Sequence, residues 1–305
     1  MAKHLVIVES PAKAKTIEKI LGSFGEPFAD SSAIPSYLLS EEIRKHVKVA
    51  LSGDGGDELF GGYIAYDYAY KAEQFLKDNP NNFTRKLKTV SSKITSRLTK
   101  NAVNHGTASE FANLIPHTQL YRRMGFSPNE TILLGANQDF INNYWLSVWN
   151  EEKSDSSTTT LMRSSLKTRL LDDYLVKVDN SSMAHSLEVR SPFLDHKLAE
   201  LAFSIPNDLK FKEGQMKYLL KKLGQKYMYQ DIFTKQKRGF TMPLNHWLKS
   251  ELYDFSNSHI NDLVQRKDFV DASVLDLLLE HRTEKKDHAA KIWALVCLEV
   301  WLKNN

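Results

Sequence analysis

Residues 47–63, VKVALSGDGGDELFGGY, constrain this chain more than any other stretch. Apolar residues at Val47, Val49 and Leu51 predict a buried strand. The strand empties into a loop with five glycines, Gly53, Gly55, Gly56, Gly61 and Gly62, and three acids, Asp54, Asp57 and Glu58. Missing Cβ atoms let phosphates approach the backbone and let the chain adopt positive φ. The interleaved acids repel bare phosphate, so they make sense if Mg²⁺ bridges them to a polyphosphate or if one acts as a base. A strand ending in a ligand loop is where open α/β sheets bind their ligands. A tight strand-to-helix turn with surface acids would explain the acids but needs fewer glycines.

Composition narrows the class. At 305 residues, 42% of them hydrophobic and 10% aromatic, the chain can bury one large or two small cores. No apolar run approaches the ~18 residues of a membrane span. MAKHLVIVES is not read as a secretory signal, because its apolar stretch is four residues long and an acid follows. A cytoplasmic protein with no membrane partner is expected. The one cysteine, Cys297, rules out an internal disulfide and a cysteine zinc cluster; within the apolar stretch Ile292–Leu302 it is expected to be buried and inert. A net charge of +4 is too mild to imply nucleic acid. A homo-oligomer is compatible with the sequence.

The chain begins with a segment unlike the remainder. Leu5–Val8 reads as a short buried strand, Ser10 and Pro11 as a helix start, and Ala14, Ile17, Ile20 and Leu21 as one helical face ending at Gly22. Residues 79–109 contain no acid but six basic residues, with Leu87, Val90, Ile94 and Leu98 at helical spacing. This basic insertion is expected to be a solvated face. Residues 110–150 predict short helices and loops. Residues 161–205 predict a helix, a polar break at Lys177–Asn180, a second helix, a Ser-Pro turn at 191–192 and a third helix from Asp195. Ala289–Lys303, rich in Ile, Trp, Leu and Val, predicts a buried helix. His281 and Asp287 are expected at the surface.

The glycine loop resembles the second nucleotide-site motif of the asparagine synthetase family, in its synthetase domain. The likeness runs through residues 26–75 and again through 160–302. It implies an α/β fold: an incomplete parallel sheet of the adenine-nucleotide α-hydrolase-like (PP-loop ATPase) type, with a large α-helical C-terminal part. MAKHLVIVESPAKAKTIEKILG separately resembles the opening of bacterial type IA DNA topoisomerases, where Glu9 would be the catalytic acid. That family's later Asp-x-Asp has no counterpart here. The expected organisation is a leader, 1–22, and a synthetase-like domain, 23–305.

The family couples ATP to amide formation: aspartate's side-chain carboxylate is adenylated, and ammonia, derived elsewhere from glutamine, displaces AMP. The resemblance implies that Ser52, Gly53, Gly55 and Lys217 contact nucleotide. It implies that Asp54 is tied to adenylate formation and ammonia attack, that Asp57 holds Mg²⁺-pyrophosphate with Glu58 in support, and that Lys237, in TKQKRGFTMPLNHWL, stabilises charge on the phosphates. Asp30 and Ser31 would border the aspartate pocket. Arg190, with Asp195, Lys177 and Asp179, matches family text, although a buried helix-turn salt bridge explains Arg190 and Asp195 equally well. Two departures stand out: residue 2 is Ala where the family's glutaminase has its cysteine, and no Ser-Gly-Gly-x-Asp occurs anywhere. The expected function is therefore an aspartate-amidating ligase domain whose turnover alone is impaired. The alternatives are a non-catalytic remnant or fusion product, a ligase for another carboxylate, and a nucleic-acid protein led by residues 1–22.

Overall fold

The computed structural model describes residues 10–78, 138–229 and 242–305. The Leu5–Val8 strand, the basic insertion and Lys237 with its neighbours lie outside the described residues.

The first part contains α1 (Ser10–Gly22), α2 (Ala33–Arg44), β1 (Val49–Leu51), α3 (Gly56–Phe60) and α4 (Ile64–Asp78). The middle contains α5 (Gln138–Glu151), α6 (Ser157–Ser165), a π-helical stretch (Leu166–Leu175), α7 (Val176–Met183) and β2 (Glu188–Arg190). A 3₁₀ turn (Pro192–Leu194), α8 (His196–Ser204), α9 (Asn207–Lys210) and α10 (Tyr218–Tyr227) come next. The last part is α11 (Leu244–Trp247), α12 (Tyr253–Gln265), α13 (Val274–Arg282) and α14 (Ala289–Asn304). The described residues are thus mostly helical. No helix among the described residues is long and apolar enough to cross a membrane.

Among the described residues the sheet is two parallel strands, with Val49 opposite Glu188, Ala50 opposite Val189 and Leu51 opposite Arg190. Ser52 N–H extends the ladder to the Arg190 carbonyl at 2.8 Å. The parallel pairing agrees with expectation, but burial does not. Val49 and Leu51 are exposed, Leu51 by 73%. A strand is covered only by what packs on its faces, and alternation of apolar residues cannot supply that cover.

The main core surrounds α14, which is apolar on every side: Ile292, Trp293, Leu295, Val296, Cys297 and Val300 are all buried. Burial pushes the Cys297 thiol pKa far up, so it stays a neutral, inert thiol. Helix α12 packs along α14, and Arg266 on its C-cap grips buried Glu299 with two hydrogen bonds of 2.7 and 3.0 Å. Helix α1 joins the same core through Ile17, Ile20 and Leu21, and Trp301 Nε1 donates to the Gly25 carbonyl at 3.1 Å. The leader's helix therefore shares a core with the C-terminal helices.

Two expectations change. The predicted break at Lys177–Asn180 is absent, and α6, the π-helical stretch and α7 run on with right-handed helical angles at each junction. The polar residues there find partners without leaving the helix: Asn180 Nδ2 donates to the Val176 carbonyl at 2.9 Å, and Lys177 reaches another segment. Asp287 is exposed as expected, but His281 is buried. Its Nδ1 accepts the His288 N–H at 3.1 Å, so its Nε2 donates to the Asn245 carbonyl at 3.2 Å. Burial lowers its pKa and keeps this tautomer neutral.

If α1 is structural, Ile20→Ala will cost about 2–5 kcal/mol in urea unfolding, and exposed Lys19→Ala about 0.5 kcal/mol or less. Equal midpoints for the two variants would show that α1 contributes no core.

Candidate functional site

The loop after β1 turns sharply into α3. Three of its glycines are demanded by packing. Gly55 has φ 85°, and a Cβ there would lie 2.3 Å from Leu194 Cδ2; Gly61 has φ 74°, and its Cβ would meet the Phe211 ring at 2.3 Å. At Gly62 a Cβ would fall 1.7 Å from Asp57 Oδ1 and 2.2 Å from Lys217 Cε. Gly53 differs: a Cβ there meets nothing within 4 Å. The expected role of Gly55, approach to a nucleotide, is thus confounded by its contact with Leu194. Gly53 is the position open to a ligand. Beside it Ser52 Oγ hydrogen-bonds Ser191 Oγ at 2.7 Å, and Asp54 is half-exposed.

Over Gly62, Lys217 Nζ lies 2.9 Å from Asp57 Oδ1, with both side chains largely covered. Lys217 precedes α10 in the left-handed region, φ 54°. A non-glycine residue held there costs energy and persists only where its surroundings enforce it. The ion pair brings together two residues 160 positions apart.

Glu58 does not fit the expected metal role. It is 1% exposed and accepts a 2.9 Å hydrogen bond from Tyr63 Oη. Burial, reinforced by the charge of Asp57, raises its pKa above the usual carboxylate range against the opposing Tyr63 bond. It sits on the inner face of α3 because side chains of adjacent helical residues point in different directions. Among the described residues no group of three His, Cys, Asp or Glu side chains forms a metal site. Asp57 by itself fits Mg²⁺, which usually takes one or two carboxylates plus phosphate and water.

A polar chain runs beneath the loop. Arg169, on the π-helical stretch, lies over the Tyr63 ring at 3.9 Å and donates through Nε to Tyr174 Oη at 3.0 Å. Lys177 sits 4.6 Å from the Tyr174 ring and donates to Asp30 Oδ2 at 2.8 Å and Ser32 Oγ at 2.9 Å. Burial works against ionisation of Asp30, but the Lys177 charge and the bonds from Lys177 and Ser32 outweigh it and hold its pKa low. Asp173 is pushed up to about 7, first by burial and then by the charge of Asp30.

The other expected residues fall elsewhere. The Ser31 carbonyl accepts from Ile34 N–H at 3.3 Å, and it is Ser32 whose hydroxyl meets Lys177. Arg190 pairs with Glu188 at 2.8 Å in an exposed bridge and not with Asp195, which caps α8 by accepting from Lys197 and Leu198 N–H. A cap satisfies otherwise orphaned helix donors, which explains Asp195 without a ligand. Sequence reasoning passed over Arg169, Asp173 and Tyr63. The four-residue spacing of Arg169, Asp173 and Lys177, which suggests one helical face, is the signal that could have found two of them.

Asp173 makes stability pH-dependent with a definite sign. Its folded pKa lies above the ordinary value, so the folded state binds more protons between pH about 4 and about 7. The stabilisation is present in acid and is lost as pH rises through that window. Asp173→Asn should remove this loss, about 1–2 kcal/mol after allowing for partial exposure. Urea midpoints at pH 5 and 8 that fall equally in wild type and variant would refute this.

The profile of the family described as asparagine synthase matches residues 1–303, a span that includes the leader. Asparagine synthetase (glutamine-hydrolyzing) 1 of Bacillus subtilis (strain 168) is 32% identical over 291 residues, covering 93% of this chain and 45% of that protein. A putative asparagine synthetase (glutamine-hydrolyzing) of Mycobacterium tuberculosis (strain ATCC 25618 / H37Rv) is 29% identical over 307 residues, 98% of this chain and 46% of its own. Amidase chyE of Penicillium rubens is 25% identical, over 93% of this chain and 46% of its own. The chain spans about half the length of these relatives. With a match over nearly all its residues, the chain belongs to the asparagine synthase family.

Proposed function

We propose that this chain carries part of the site of an ATP-dependent amide ligase that converts aspartate to asparagine through β-aspartyl-AMP. The supporting observation is the loop after β1: Gly53 is open to a ligand, while Asp57 and Lys217 are held 2.9 Å apart beside it. Family membership supports the reaction class. In the first step an aspartate carboxylate oxygen attacks the α-phosphorus and the bond to pyrophosphate breaks. In the second, ammonia attacks the acyl carbon, loses a proton, and AMP leaves.

Ser52 and the Gly53 backbone line the nucleotide, and absence of a side chain at 53 lets it come close. Asp54, half-exposed beside them, accepts the proton that ammonia loses. Asp57 would hold Mg²⁺, which when bound neutralises charge on the phosphates. Lys217, paired with Asp57, would supply a mobile point charge on a flexible stem to the same phosphates. Lys237 is assigned to the transition-state charge by its sequence match. Arg190, exposed and paired with Glu188, receives no substrate role, and Asp30, locked to Lys177, acts as a support of the site.

Because the chain has no Ser-Gly-Gly-x-Asp segment, we expect nucleotide binding but no turnover unaided. Calorimetry with Mg-ATP should show at least about a tenfold loss of affinity, about 1.4 kcal/mol, in Gly53→Val. Its melting temperature should stay unchanged, because the site is open. Asp57→Asn should remove the Mg²⁺ dependence of binding. Equal ATP affinity in wild type and Gly53→Val would sink the assignment. Aspartate-dependent AMP release by the chain alone, abolished in Asp57→Asn, would show instead that it is a complete ligase.

A further inference from the structure

Lys210 closes the short helix α9 and is 1% exposed. Buried lysines normally meet a carboxylate or a ring of carbonyls. Among the described residues Lys210 has neither. Its ammonium instead lies 5.3 Å from the centroid of the Phe203 ring, and the Arg163 guanidinium lies 5.3 Å from the centroid of that same ring. Two cations thus share one aromatic side chain. Burial first, and the Arg163 charge second, push the Lys210 pKa down to about 8.

This arrangement favours any change that removes positive charge from Lys210. We propose that Lys210 is a carbamylation site, its amine adding reversibly to carbon dioxide at the Phe203 ring that it shares with Arg163. The lone pair of the neutral amine attacks the carbon of CO₂ and an N–C bond forms. One C=O π bond opens to an oxyanion, and a proton leaves nitrogen for solvent; R–NH₂ and CO₂ give R–NH–COO⁻ and H⁺. Nothing is oxidised or reduced. The charge at Lys210 changes sign, so its repulsion with Arg163 turns to attraction. Carbon dioxide, small and uncharged, suits so closed a site better than a hydrated oxyanion does. The modified residue is joined directly to Phe211, the ring packed against Gly61 of the loop. The inference does not depend on the ligase reading.

The test treats the full chain with ¹³C-bicarbonate near pH 8, traps carbamate by O-ethylation with triethyloxonium, and maps labelled lysines by peptide mass spectrometry. A pKa near 8 leaves ~100-fold more free amine than an ordinary lysine has. Label at Lys210 should therefore exceed that at exposed Lys19 by about tenfold or more. Lys210→Arg should lose that label alone, and Arg163→Gln should reduce it severalfold. Label at Lys210 no higher than at Lys19 overturns the proposal, and that comparison needs only the wild-type protein. Undiminished label in Arg163→Gln would equally overturn it, since the Arg163 charge is what favours the anionic product.

Discussion

The contact on which the site region depends is the 2.8 Å bridge from Lys177 to Asp30. It joins the segment before α2 to the helix after the π-helical stretch, across 147 residues of chain. A half-buried ion pair of this kind loses much of its Coulomb gain to desolvation, so its value lies in fixing geometry more than in raw stability. With the pair made, Tyr174 stands beside Lys177, Arg169 stacks on Tyr63, and Tyr63 binds Glu58. Each member fixes the orientation of the next. The chain of contacts ends at Glu58 of α3, so the floor of the glycine loop is set by segments distant in sequence.

The loop shows how packing and ligand chemistry compete for the same residue type. Gly55, Gly61 and Gly62 are occupied in letting Leu194, Phe211 and the Asp57–Lys217 pair approach. Only the open position at 53 keeps the freedom for a ligand that glycine density suggests for all of them. The adjacent acids divide similarly. Asp57 faces the lysine of another segment, whereas Glu58 turns inward to Tyr63, where burial raises its pKa. One residue of helical rotation separates a carboxylate able to meet a cation from one that builds the core.

Much of the architecture is legible in the residues alone. Ile17, Ile20 and Leu21 mark the buried face of α1, the stop at Gly22 holds, and the apolar run from Ala289 marks the central helix α14. In each case the signal is local: a 3.6-residue period or an unbroken apolar surface is written into neighbouring residues. Whereas its parallel pairing is implied by the family resemblance, the strand before the glycine loop is legible for the same reason. Its exposure is not, nor is the helical continuity through Lys177–Asn180, because polar residues are tolerated within a helix once partners far along the chain accept them. The burial of His281 belongs with these, since its two partners are backbone groups of Asn245 and His288.

The sequence by itself determined the protein family and the acids, glycines and lysines from which a site can be drawn, because those are matters of residue type and short spacing. Tertiary structure alone decided their fates. It paired Asp57 with Lys217, turned Glu58 inward, left Arg190 on an exposed bridge with Glu188, and buried Lys210 against the ring it shares with Arg163, with no acid to meet it among the described residues. The physical reason is range. Helical and strand periodicity act over a few residues, but burial and charge pairing depend on which distant segments are brought within a few ångströms of each other.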